Sequence, residues 1–108
     1  MKKPDKNLLN KRSRTSDGWE LSLYVLDGNP ASVRALNSVT DICEEYLAGR
    51  CTLEVIDLAI HPEFAKRDQI VAIPTLIKKL PLPLRRIIGD MANRDRVLVG
   101  LDLQPKKD

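Results

Sequence analysis

The chain has 108 residues, of which 43% are hydrophobic and 31% charged, the size and balance of one globular domain that folds without metal or disulfide support. It has no apolar run long enough to cross a bilayer and no apolar secretory segment behind its charged first residues, so the expected location is cytoplasmic. The formal charge of +3 sits at the start: residues 1–18 hold Lys2, Lys3, Lys6, Lys11, Arg12 and Arg14 against Asp5 and Asp17, while the remainder holds 12 basic against 13 acidic side chains.

Residues 1–18 lack a hydrophobic period and read as a disordered basic extension. Trp19 to Leu26 alternates as a strand. Trp19, Leu21, Leu23 and Val25 lie on one face, and the other face turns apolar towards its end. Asn29 is placed to cap a helix that Pro30 opens. Val33, Leu36, Val39, Ile42, Cys43, Tyr46 and Leu47 follow at helical spacing, and Gly49 stops the helix. Cys51 to Asp57 is a second strand. A strand, a helix and a strand joined by short connections form a right-handed unit with parallel strands. Pro62 to Asp68 is a short helix. Thr75 to Leu80 and Leu84 to Ile88 form a hairpin around Pro81-Leu82-Pro83, entered through Pro74. In that hairpin Lys78-Lys79 faces Arg85-Arg86, a basic edge that resists strand pairing or meets an acidic protein partner. Asn93 to Leu103 divides between helix and strand: Asn93 can cap, yet Val97 to Leu103 is β-branched, alternating and interrupted by Gly100. Residues 105–108 are a short polar tail, leaving 19–104 as the domain.

Chemistry is sparse. Cys43 and Cys51 are not spaced as a C-x-x-C pair, and His61 is the only histidine, so neither a metal nor another cofactor is expected. The cysteines read as buried free thiols, and His61 as a solvent-facing loop residue. No phosphate-binding loop, dinucleotide fingerprint or nucleophile elbow is present. Asp57, Glu63, Asp68, Asp90 and Asp95 read as scattered solvated carboxylates. Aromatic residues at 4% offer little for base stacking, so nucleic acid is not expected as a partner.

The element order βαβαββα resembles the α/β thioredoxin fold. The resemblance places a cis-proline at Pro74 and a redox pair in the loop Asp27 to Ser32, which contains no cysteine. A thiol oxidoreductase using Cys43 or Cys51 is therefore only an alternative expectation, and the chain is not expected to be an enzyme.

Longer motifs resemble one family closely. LYVLDGNPASVRAL, LEVIDLAIHPEFAKRDQIVAIPTLIKKLPLPLRRIIGD and NRDRVLVGLDL are similar to KaiB, a circadian clock protein family. The resemblance covers Trp19 to Leu103. It implies a non-catalytic protein that binds the ATPase ring of KaiC, captures KaiA and so alters KaiC phosphorylation, and competes with SasA. It also implies two folds for one sequence: a thioredoxin-like monomer that binds KaiC, and an inactive dimer or tetramer of order βαββααβ. The family's fold-switch positions match Gly100 and Asp102. A helix-propensity argument then expects Gly100→Ala to favour the thioredoxin-like state by about 1 kcal/mol. The partner-binding positions carried over are Lys66, Arg67, Asp68 and Gln69. Where the family usually reads A-E-E-D-K-I, this chain reads Ala65-Lys66-Arg67-Asp68-Gln69-Ile70. An acidic pair has become basic and a lysine has become Gln69. This departure points to a divergent KaiC, or to a stress-signalling adaptor outside the core oscillator.

Overall fold

Strand β1 (Trp19–Val25) lies inside the sheet and organises the rest: it pairs in parallel with β2 (Cys51–Asp57) and antiparallel with β3 (Thr75–Leu80). The computed structural model describes residues 18–104. All but Gly18 of the expected basic extension, and the expected polar tail over 105–108, lie outside the described residues. Strand β4 (Arg85–Ile88) pairs antiparallel with β3, giving the sheet order β2-β1-β3-β4. Helix α1 (Pro30–Tyr46) makes the crossover from β1 to β2, α2 (Glu63–Arg67) follows β2, and α3 (Arg94–Gly100) follows β4.

The local signals act as the residues dictate. The Asn29 side chain accepts a hydrogen bond of 3.0 Å from the Ser32 backbone N–H, and Pro30 occupies the first turn of α1. Gly49 takes φ +74° in the turn into β2, a left-handed conformation that suits glycine. Several ends are shorter than the sequence pattern predicts: Leu26 leaves the strand for an exposed loop, Leu47 caps α1 rather than extending it, α2 leaves out Pro62 and Asp68, and β4 starts at Arg85 rather than Leu84.

The two faces of the sheet bury different sets. Leu21, Leu23, Leu76 and Ile87 pack against Ala35, Val39 and Ile42 of α1 and Val97 and Leu98 of α3. Tyr24, Ile56 and Ile77 point to the other face, where Leu58, Phe64, Ala65, Ile70 and Ile73 cover them. Period-2 alternation along β1 therefore feeds both layers.

Asn93 to Leu103 resolves as a helix and its C-terminal turn. The Asn93 carboxamide accepts from the Arg96 backbone N–H at 3.2 Å. Val97, Leu98 and Leu101 are buried together, which only helical spacing achieves. Burial of that stripe outweighs the strand preference of two valines and the helix penalty of Gly100.

Lys78-Lys79 and Arg85-Arg86 do not form one basic edge. Lys78 lies in the interior strand β3 and is only 2% exposed. Its ammonium is 3.0 Å from Asp102 Oδ2 and stands over the Trp19 ring. Arg85, opposite Lys78 in the register, donates to the same carboxylate oxygen at 3.1 Å. Lys79 and Arg86 turn to the other face of the sheet and line a groove there. Each basic pair is thus split across the two faces, as the pleat requires.

Candidate functional site

The sheet end marked by the last residues of β1 and the first of β3 gathers the residues that remain available for chemistry. Tyr24 pairs with Thr75 in the register, so Pro74 stands at this end. The Ile73–Pro74 peptide is cis, Pro74 is buried, and its carbonyl accepts from the Gly89 backbone N–H at 3.0 Å. Asp27 to Ser32 leads from this end of β1 into α1. Ser32 Oγ accepts from the Leu26 backbone N–H at 3.1 Å, so the loop is closed by local polar contacts and carries no thiol.

Two open grooves flank the short helix α2. One, of about 430 Å³, is apolar and is lined by Leu26, Leu58, Pro62, Ala65 and Ile70 to Ile73. It joins the first loop to the segment before the cis peptide. Val71 on its rim is 88% exposed, an extent of apolar exposure that no neighbouring side chain relieves.

The second groove, of about 210 Å³, lies between the end of α2 and the hairpin; Arg67, Asp68, Gln69, Lys79, Leu84 and Arg86 surround it, with Tyr24 and Ile77 beneath. Its framework is a polar chain. The Tyr24 hydroxyl donates to Asp68 Oδ2 at 2.5 Å. Arg67 donates to both Asp68 oxygens, at 2.9 and 2.8 Å, and its guanidinium lies 4.0 Å over the Phe64 ring. Arg86 reaches across from β4 to the Asp68 and Gln69 carbonyls at 2.8 and 3.2 Å. Those carbonyls end α2, where a cation is favoured by the helix dipole. Gln69 itself takes φ +58° and is exposed.

Electrostatics follow the contacts. The Arg67 guanidinium, and then the Tyr24 hydroxyl, hold the Asp68 carboxyl down at about 2 against the opposing effect of burial. Burial, and then the Asp68 carboxylate, push the Tyr24 phenol up to about 12. The unfolded chain takes up a proton at Asp68 near pH 4 and the folded chain only near pH 2. The Asp68 contribution is therefore complete above about pH 4 and is lost as pH falls to about 2. Tyr24 contributes fully below about pH 10 and loses its share as pH rises to about 12. Tyr24→Phe should cost about 1.5 kcal/mol, the lower end for a bond to a charged group, because Arg67 still pairs with Asp68. Urea unfolding from pH 2 to 7 checks both statements: Asp68→Asn should flatten the acid limb, and Tyr24→Phe should lower stability at neutral pH.

The predicted site residues do not all converge. Arg67, Asp68 and Gln69 share the groove, Lys66 is exposed on α2, and Pro74 stands at the same end of the sheet. Gly100 and Asp102 belong to the opposite face, with α3 and Lys78. Asp68 and Asp90 are not free carboxylates: Asp90 is paired with Arg34 at 2.7 Å. Tyr24, Lys79, Leu84 and Arg86 are additional groove residues. Only the inward register of Tyr24 and the pleat of the hairpin signal them in the sequence. His61 is exposed and stacks on Phe64. Among the described residues no group of three or more His, Cys, Asp or Glu is placed to hold a metal ion, and no helix is long and apolar enough to cross a membrane. The cysteines depart from expectation: they are half-buried, and their sulfurs touch at 3.0 Å, at the far end of the sheet.

The arrangement defines a thioredoxin-like α/β domain whose first loop carries no thiol and whose exposed grooves suit protein contacts. Comparison with known proteins agrees on the fold. The N-terminal domain of Synechococcus elongatus SasA matches with a TM-score of 0.62 at 24% identity, over 85% of this chain and 90% of that one. Mitochondrial thioredoxin 3 of Saccharomyces cerevisiae matches with a TM-score of 0.65 at 18% identity, over 87% and 85%. The KaiB domain profile matches residues 22–103. The circadian clock oscillator protein KaiB of Thermostichus vulcanus is 52% identical over 85 residues, 79% of each chain. That of Nostoc sp. is 47% identical over 95 residues, 88% of this chain and 85% of that one. The chain belongs to the KaiB family.

Proposed function

We propose that this chain is a non-catalytic, cytoplasmic clock regulator that docks on the ATPase ring of KaiC, modulating KaiC phosphorylation and the access of KaiA. The observation that carries the reading is the KaiB domain match over residues 22–103 on a chain folded in the thioredoxin-like order. The family resemblance assigns KaiC binding to that monomeric order. The shared fold of the SasA N-terminal domain supports competition with SasA. The docking surface is the α2 end: Lys66, Arg67 and Gln69 outward, with Asp68 anchored below by Tyr24. A dimer or tetramer of the other fold is the inactive form, and Gly100 and Asp102 lie in the segment that changes.

A second reading has its own observation. Lys66 and Arg67 replace the family's acidic pair, and Gln69 replaces its lysine. A divergent KaiC with an acidic face, in a stress-signalling rather than oscillator role, fits that charge. Calorimetric titration separates the two. Gln69→Lys restores the family residue and should strengthen binding to a cyanobacterial KaiC ring about tenfold, the worth of one charge-assisted contact. Failure of both the wild type and Gln69→Lys to bind that ring, together with binding to a KaiC from the chain's own cell, favours the divergent partner. No binding to either ring removes the proposal.

A further inference from the structure

We propose that Cys43 and Cys51 are a reversible dithiol–disulfide site, through which the cell's thiol poise covalently ties the end of α1 to the start of β2. The two sulfurs are in contact at 3.0 Å as free thiols. They are brought there by the turn from Leu47 to Arg50, whose Arg50 N–H donates to the Leu47 carbonyl at 2.8 Å. That turn is held against the sheet by the bond from the Trp19 N–H to the Arg50 carbonyl, 2.7 Å. Both side chains pack beside the main apolar cluster yet stay partly exposed, so a small oxidant can reach them. They are the only two cysteines in the chain, so the intramolecular product is unique.

The thiol–thiol contact is a hydrogen bond in which either sulfur can be the donor. With a small disulfide such as oxidised glutathione, one of the two, as its thiolate, attacks one sulfur and expels one glutathione thiolate, leaving a mixed disulfide. The other gives up its proton, attacks its neighbour's sulfur in that mixed disulfide and expels the second thiolate. The protein loses two hydrogens, the oxidant is reduced to two thiols, and no other electron acceptor is needed. The site lies at the opposite end of the sheet from Pro74: Cys51 pairs with Trp19, whereas Thr75 pairs with Tyr24. It is therefore a site of modification of this chain rather than the missing thioredoxin centre.

The test uses the full chain, reduced and then incubated with oxidised glutathione. Intact mass, thiol titration and a non-reducing gel are read together. The proposal expects both thiols lost, a mass lower by two hydrogens, a monomeric band, and full return of the thiols with dithiothreitol. Cys51→Ser and Cys43→Ser each lack a second thiol to resolve the mixed disulfide, so at least one of them should instead stop at a stable glutathione adduct on its remaining cysteine. A wild-type protein that accumulates the glutathione adduct, keeps both thiols, or forms a cross-linked dimer overturns the proposal. So do Cys51→Ser and Cys43→Ser variants that both leave the remaining thiol unmodified.

Discussion

Asp102→Asn should lower the thermal midpoint on the order of 10 °C, because it leaves a buried ammonium without its counter-charge. Lys78 is only 2% exposed, and among the described residues its ion pair is with Asp102. Asp102 takes φ +64°, a left-handed conformation that asparagine also tolerates, so the substitution changes charge without changing backbone preference. Arg85, and then Lys78, hold the Asp102 carboxyl below its ordinary range. The stability it contributes is present above the ordinary carboxylate pKa and fades as pH falls through the lowered one. A second substitution makes the reasoning specific. Lys78→Met removes the buried charge at similar volume, so it should be neutral or stabilising by about 1–3 kcal/mol. In that background Asp102→Asn should cost little. Thermal melts of the two single variants and the double variant read the coupling directly.

Gly100→Ala should destabilise the thioredoxin-like fold by about 1 kcal/mol, the reverse of what helix propensity alone expects. A Cβ built on Gly100 would stand 2.7 Å from Ile87 Cδ1 and 2.8 Å from Ile87 Cγ1. The terminal methyl could rotate away, but Cγ1 moves only if χ1 changes, and isoleucine is stiff there. Overpacking of about 1–3 kcal/mol then outweighs a propensity gain of about 1 kcal/mol. In an Ile87→Ala background the obstruction is gone, and Gly100→Ala should stabilise the fold. Denaturant titration of the cycle tests this, and additive effects at the two positions would show that the contact does not matter.

Much of this architecture was legible in the residues. Asn29-Pro30 marks the start of α1, alternation from Trp19 marks β1, and Pro81 to Pro83 separates β3 from β4; the structure agrees at each. The segment Asn93 to Leu103 was not decidable, because its β-branched residues favour one state, its apolar stripe another, and Gly100 neither. Only the neighbouring sheet face shows which preference prevails. The placement of Lys78 was also hidden, since nothing in Lys-Lys distinguishes a buried ammonium from a solvated one until Asp102 is found beside it. The same holds for Cys43 and Cys51, which meet only because the turn after α1 reverses the chain. At the candidate site, Arg67, Asp68 and Gln69 were identified by family resemblance. Their partners Tyr24 and Arg86 depend on strand register and became visible only in the fold.

The central claim is that this chain acts through the surface at the α2 and Pro74 end of a thioredoxin-like domain. Hydrogen exchange on the full chain, alone and mixed with the hexameric KaiC ring of its own cell, tests it most directly. The account predicts new amide protection from Pro62 to Ile73, with little change around Cys43 to Cys51. Protection confined to the Cys43–Cys51 end, or no protection at saturating KaiC, would contradict it.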